Sequence, residues 1–407
     1  MSDFLIRGNR ALFGKIEISG SKNAALPLIF ATLITDGTSV LRGVPSISDV
    51  AVALELVSSL GATVTVDGDT VTIDTSDLKY KKPSEESVSK IRASSYLLGA
   101  NLARFKIAHI QSFGGCNFDS RPIDMHISAM TSFGATLNGD EITAKELFGS
   151  DIRFSKISVG ATVNAILLAA TAKGKSRIFG YAKEPHVISL IEFLRKCGAD
   201  ITLFDDRIEI FGARLSGAEA TVIPDMIEVG TYSALSLMTD SDILVGAEYP
   251  EHLSSFFAAL SSAGATVTQT DGFVKLTGGL DTFLHITAEP YPGFPTDLQP
   301  QTAPLLASCF GGIITERVWR RRFGYLSELE KFGVRYELSE SGAFIYPSKI
   351  HSAEATVPDL RGGAALMMCA LYAEGESVIH SAEIIKRGYA DVVNKLRSVG
   401  ADIKEIN

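Results

Sequence analysis

The chain has 407 residues, 46% of them hydrophobic and 21% charged, and its formal net charge is −9. That balance is ordinary for a globular protein long enough for two cores, and the negative charge excludes non-specific binding to nucleic acid through a broadly basic surface. No apolar run reaches the roughly 18 residues of a membrane span, MSDFLIRGNR at the start lacks a secretory pattern, and Cys116, Cys197, Cys309 and Cys369 show neither a CxxC pair nor metal-ligand spacing. The expectation is a cytoplasmic protein with reduced thiols, no structural metal and no obligate protein partner.

In chain order, a strand at 16–20 (IEISG) leads into an apolar helix beginning near Lys22 (KNAALPLIFATLI). A strand within 36–45 follows, then a second helix ending at Gly61, then a hairpin at 63–74 (TVTVDGDTVTID). Asp-Gly between alternating apolar residues is a strong hairpin signal. The polar stretch 77–90 reads as a solvated connector. The same order then recurs. Further apolar helices begin near Arg92, Ser158, Glu228, Asp297 and Arg361, and further second helices end at Gly134, Gly198, Gly264, Gly333 and Gly400. Successive glycines lie 73, 64, 66, 69 and 67 residues apart, so one supersecondary unit is used six times.

Glycine at each second helix end suits a left-handed C-cap. The first helices are apolar nearly all round, which predicts burial on most sides. Six repeats divide into two domains of three. The N-terminal strand is assigned to the last three, giving expected domains of 1–20 plus 225–407 and 21–224.

Corresponding positions carry the chemistry. Lys22, Arg92 and Arg361 put cations at first-helix starts, where the helix dipole opposes them and capping does not explain them. An anionic ligand does. Asp225 and Asp359 equally suit N-caps. The corners between each first strand and second helix hold Cys116 and Arg121, then Arg320, Arg321 and Arg322, then Lys386 and Arg387. Arginine forks recognise carboxylate and phosphate, so a small, highly anionic substrate is expected.

The motifs ISGSKNAALPL (18–28), IRAS (91–94), GGCNFDSRPIDMHI (114–127), SVGATVN (158–164), PDMIEVGT (224–231), FPTDLQ (294–299), DLRGGAAL (359–366) and KRGY (386–389) occur in this order. Together they resemble the EPSP synthase-like enolpyruvyl transferase family, specifically its branch acting on UDP-N-acetylglucosamine, over essentially the whole chain. The resemblance implies an α/β (α+β) fold of two similar domains. Each is an inside-out α/β barrel of three βαβαββ-type units, with the active site in the cleft between domains. It implies transfer of the enolpyruvyl group of phosphoenolpyruvate to the sugar nucleotide's 3′-hydroxyl, with loss of phosphate, at the start of peptidoglycan synthesis. No cofactor is implied.

By motif match, Cys116 is the acid at C3 of phosphoenolpyruvate, in a lid spanning 112–121, and Asp297 is the base at the sugar hydroxyl. Lys22, Arg121 and Arg387 match cations around the phosphate, and Arg322 and Arg361 those around the carboxylate. Asn23, Arg92, Pro122, Ile123, Asp124, Ser158, Val159, Gly160 and Val318 match positions that hold substrate or order the site. His126 either orients the lid or is structural. The chain departs from the family at Phe118-Asp119 (usually Ile-Gly), at Trp319-Arg320-Arg321 before Arg322, at Gly324-Tyr325 and at His186. Two alternatives therefore stay open: the same chemistry on a modified acceptor, or a catalytically silent sugar-nucleotide-binding protein.

Overall fold

Gly61, Gly134, Gly198, Gly264, Gly333 and Gly400 all take positive φ, between 89° and 115°. Side chains rarely tolerate that conformation, so glycine ends each second helix without steric conflict. The computed structural model, which describes residues 2–114 and 122–406, places these helices at Ser48–Ser59, Asp124–Ser132, Pro185–Lys196, Ser254–Ser262, Leu326–Glu330 and Val392–Ser398. The first helices are Lys22–Ala31, Tyr96–Phe105, Val159–Ala169, Met226–Met238, Gln299–Ser308 and Leu360–Tyr372. Every residue of Ala161–Ala169 and of Leu360–Leu371 is buried, as helices with no polar stripe require.

The described residues fall into two compact units. A continuous unit takes the described residues within 20–223 and repeats one to three; a discontinuous unit takes residues 2–19 and 224–406 and repeats four to six. Within each unit the first helices approach closely where a side chain is missing. A Cβ on Gly99 would lie 2.4 Å from Asn164 Oδ1 of the next first helix, and one on Gly230 would lie 2.4 Å from Leu298 Cδ1.

Each repeat builds its own sheet. In repeat five, Gly312–Glu316 pairs with Gly342–Tyr346, which pairs with Arg335–Leu338, both antiparallel, while Leu284–Ala288 runs parallel along the other edge. Repeats one, three and four follow the same plan, and repeat two has three strands. In repeat one the parallel edge is Glu219–Thr221 beside Thr38–Arg42. In repeat four it is Phe13–Ile16 beside Asp242–Val245. In repeat six the strand Asp3–Arg7 stands between Glu376–His380 and Asp402–Ile406, where a hairpin would supply its second strand.

Local starts differ from expectation in ways the capping chemistry explains. Asp225 caps the helix that begins at Met226, two residues before Glu228, its Oδ1 accepting from the Ile227 and Glu228 amides at 2.8 and 3.2 Å. Asp359 does the same for Arg361 and Gly362, both at 3.0 Å. These two carboxylates are caps. Two first helices open with tighter turns, Arg92–Ser95 and Thr296–Leu298. The stretch 77–90 is not wholly extended connector: it holds a helical turn, Glu85–Val88, capped by Ser84. The repeat-six corner is also helical, over Ala382–Arg387.

Candidate active site

In the continuous unit, the side-chain amide of Asn164 organises three of the predicted positions. Asn164 Oδ1 accepts from the Gly99 amide at 2.6 Å, so its Nδ2 is the donor end. Nδ2 reaches Ser95 O at 3.2 Å, Gly160 O at 3.1 Å and His126 Nδ1 at 2.9 Å. His126 Nδ1 must therefore accept, which puts the ring proton on Nε2. The ring sits under the start of helix Val159–Ala169: a Cβ on Gly160 would lie 2.9 Å from His126 Cε1. One amide thus ties together the Arg92–Ser95 turn, the helix that starts at Asp124 and the turn carrying Ser158, Val159 and Gly160. Burial pushes the His126 pKa down to about 4, and the nearby Arg92 charge acts in the same direction. Of the two readings left open for His126, this geometry is the structural one.

Ser158 caps its helix, its Oγ accepting from the Ala161 amide at 3.4 Å. Pro122 and Asp124 are exposed, and Asn23, Ile123, Val159 and Gly160 are half-buried. Arg92 is half-buried, and burial lowers its pKa. Lys22 Nζ lies 3.5 Å from Asp49 Oδ2, in the first turn of the following helix.

In the discontinuous unit, Asp297 is held by two buried arginines. Arg322 Nη1 donates to Oδ1 at 2.7 Å. Arg361 donates to Oδ2 from Nη2 at 3.2 Å and from Nε at 3.3 Å. The two arginine side chains are 4% and 2% exposed, whereas Asp297 is 28% exposed, so the carboxylate is the part of the cluster that meets solvent. Arg361 also lies over the Tyr389 ring, 5.3 Å from its centroid. Tyr389 is fixed by Thr231 Oγ1 at 2.8 Å and by Gln301 Nε2 at 3.0 Å. Val318 is half-buried on the turn after strand Gly312–Glu316, and Arg387 closes the Ala382–Arg387 turn. Arg320 and Arg321 are exposed, unlike Arg322.

These contacts correct one inference from sequence. Lys22 and Arg361 do not wait at helix starts for an external anion alone: each already has a carboxylate of its own unit beside it. Four supporting residues escaped the sequence reading: Asp49, Asn164, Thr296, whose hydroxyl accepts from Arg322 Nη1, and Glu316, which accepts from that hydroxyl. Asn164 and Glu316 did leave a signal, as the one amide side chain in an apolar helix and a lone acid ending the apolar strand GIITE. The assignments to Cys116 and Arg121, and the departure at Phe118-Asp119, lie outside the described residues. Among the described residues no cluster of three metal-ligating side chains occurs, and no helix is long and apolar enough to cross a membrane.

Six helix-centred repeats in two units, with arginines gathered on one carboxylate, define an enolpyruvyl transferase architecture. A family model described as EPSP synthase (3-phosphoshikimate 1-carboxyvinyltransferase) matches residues 6–396, and the chain belongs to that family. It is 38% identical over 415 residues to the UDP-N-acetylglucosamine 1-carboxyvinyltransferase of Halothermothrix orenii, covering all of both chains. It is also 38% identical over 407 residues to UDP-N-acetylglucosamine 1-carboxyvinyltransferase 2 of Staphylococcus aureus, covering 98% of this chain and 97% of the relative. Among solved structures, the enolpyruvyl transferase NikO from Streptomyces tendae superposes with a TM-score of 0.88 at 26% identity, over 99% of this chain and 98% of that one. EPSP synthase from Acinetobacter baumannii, at 18% identity and a TM-score of 0.76 over the whole of both chains, shares the fold.

Proposed function

We infer that this protein transfers the enolpyruvyl group of phosphoenolpyruvate to the 3′-hydroxyl of UDP-N-acetylglucosamine, releasing inorganic phosphate, as the entry step of peptidoglycan synthesis. The observation that carries the reading is Asp297, a partly exposed carboxylate gripped by two buried arginines, in a chain 38% identical end to end to enzymes of that name. The reaction adds the hydroxyl oxygen to C2 of phosphoenolpyruvate as C3 takes a proton. The tetrahedral ketal then expels phosphate and gives up a C3 proton, restoring the double bond. It needs a base at the hydroxyl, an acid and base at C3, and cations for phosphate and carboxylate.

Asp297 takes the hydroxyl proton. Arg322 and Arg361 fix its two oxygens from behind and leave its exposed side to the hydroxyl. Lys22, Arg121 and Arg387 meet the phosphate, and Cys116 serves C3. Asn23, Arg92, Pro122 to Asp124, Ser158 to Gly160 and Val318 hold the sugar nucleotide. Charged, phosphorylated substrates do not cross membranes unaided, which places the reaction in the cytoplasm. Exposed Arg320 and Arg321 beside Val318 favour, as the second reading, the same transfer to a more anionic acceptor.

Phosphate release from phosphoenolpyruvate, with and without UDP-N-acetylglucosamine, tests the reading. Acceptor-dependent release is expected, and Asp297→Asn is expected to lower kcat by about 10²- to 10⁴-fold, the range of general base catalysis. Release only with a different acceptor would select the second reading. Sugar-nucleotide binding without any release would leave a silent binding protein.

A further inference from the structure

Glu316 is fully buried at the end of strand Gly312–Glu316, and both its oxygens are engaged by donors. Oε1 accepts from the Val318 and Trp319 amides at 2.8 and 3.0 Å. Oε2 accepts the Thr296 hydroxyl at 2.8 Å. Thr296 has one proton, and Glu316 takes it. Its Oγ1 lone pairs are then turned to Arg322, whose Nη1 donates at 3.1 Å and also donates to Asp297 Oδ1 at 2.7 Å. Arg322 is therefore the donor on both sides, to Asp297 directly and to Thr296, which passes its own proton on to Glu316.

We propose that Glu316 is a positioning residue for the transfer: through the Thr296 hydroxyl it fixes Arg322 against Asp297, and through two amides it sets the Val318–Trp319 turn. The inference rests on the reading of Asp297 given above. A carboxylate is specifically required. With glutamine, either the amide NH₂ faces the two backbone N–H groups, or it faces Thr296, whose hydroxyl proton loses its acceptor. Burial raises the Glu316 pKa, but the Trp319, Thr296 and Val318 donors and the Arg322 charge oppose that shift.

The test uses the full chain and four variants, Glu316→Gln, Thr296→Val, Thr296→Ser and the Glu316→Gln/Thr296→Val pair, each checked for a native melting transition. Glu316→Gln and Thr296→Val should each lower kcat for phosphate release by about 10- to 100-fold, as expected when a reacting group is misplaced. Thr296→Ser keeps the hydroxyl and should stay within about threefold of the parent, since the relay needs only that oxygen and its proton. The double variant should fall no further than the worse single, because the two act as one relay. A purely structural role predicts instead that the losses multiply. If Glu316→Gln does not fold, the contrast between valine and serine at 296 still decides. Side-chain ¹⁵N NMR of Arg322 reads the same relay without turnover: guanidinium rotation should be slow in the parent and the serine variant and fast in the valine variant. Parental kcat in a folded Thr296→Val variant, or no change in Arg322 rotation, would overturn the proposal. If the parent releases no phosphate yet the rotation contrast appears, the proposed function fails while the fixing of Arg322 by this relay stands.

Discussion

Asn164 decides the protonation state of His126, and with it a pH dependence of stability. The ring accepts at Nδ1 from an amide whose own orientation is locked by the Gly99 N–H, so it has no place for a second proton there. Its folded pKa is about 4 against an ordinary 6.5. Between those values the unfolded chain binds a proton that the folded chain refuses. Stability from this site is therefore complete above pH 6.5 and is lost as pH falls toward 4, amounting to about 2 kcal/mol by pH 5. We expect His126→Gln, which retains an acceptor for Asn164, to be less stable than the parent at pH 7.5 but to lose less on moving to pH 5. Urea unfolding at the two pH values measures both. Equal losses in the two proteins would assign acid sensitivity to other groups.

At the scale of elements, Glu228 joins three segments of the discontinuous unit. It lies in the first turn of helix Met226–Met238 and is 1% exposed. Its Oε1 accepts from Lys395 Nζ at 2.6 Å, and Oε2 accepts from the Ser19 amide at 2.9 Å. Lys395, on helix Val392–Ser398, also donates to Ser19 Oγ at 2.7 Å. Burial raises the Glu228 pKa, and Lys395 works against that rise. Removing the lysine leaves a buried carboxylate uncompensated. Lys395→Met is expected to cost about 3–5 kcal/mol, and adding Glu228→Gln should recover much of the loss, because the pair matters less than its breakage. Denaturant melts of the single and double variants check this; a further loss in the double would contradict it. Ties of this kind explain what was and was not legible beforehand. The second-helix glycines were legible because only glycine suits their φ, and the first helices because they lack a polar face. Asn164, Glu228 and Glu316 each tie their element to a partner distant in the chain, 69, 209 and 20 residues away, and spacing gives no hint of such contacts.

At the scale of the molecule, the two units are unequal in how the chain supplies them. Every described strand of the continuous unit comes from within residues 20–223, including the late Glu219–Thr221 that edges the first sheet. The discontinuous unit instead takes two strands from the far N-terminus. Asp3–Arg7 is interior to its sheet, and Phe13–Ile16 forms the edge of another. Phe4, Ile6, Leu12 and Ile16 from this segment are at most 2% exposed. Burying four such side chains is worth about 6–12 kcal/mol, comparable to the whole stability of a domain. Residues 20–223 expressed alone should therefore fold with a cooperative urea transition, whereas residues 224–407 alone should not. The ends to be joined are already close, since the Asp225 amide donates to Ser19 O at 2.9 Å. Fusing residues 1–19 directly ahead of 224–407 should restore a cooperative transition to the second fragment. Circular dichroism during urea titration reads all three proteins. A cooperative transition in 224–407 without the N-terminal strands would mean that its one complete sheet, the remaining strands of the other two and its buried helices suffice, and that the N-terminal segment only docks onto a unit already formed.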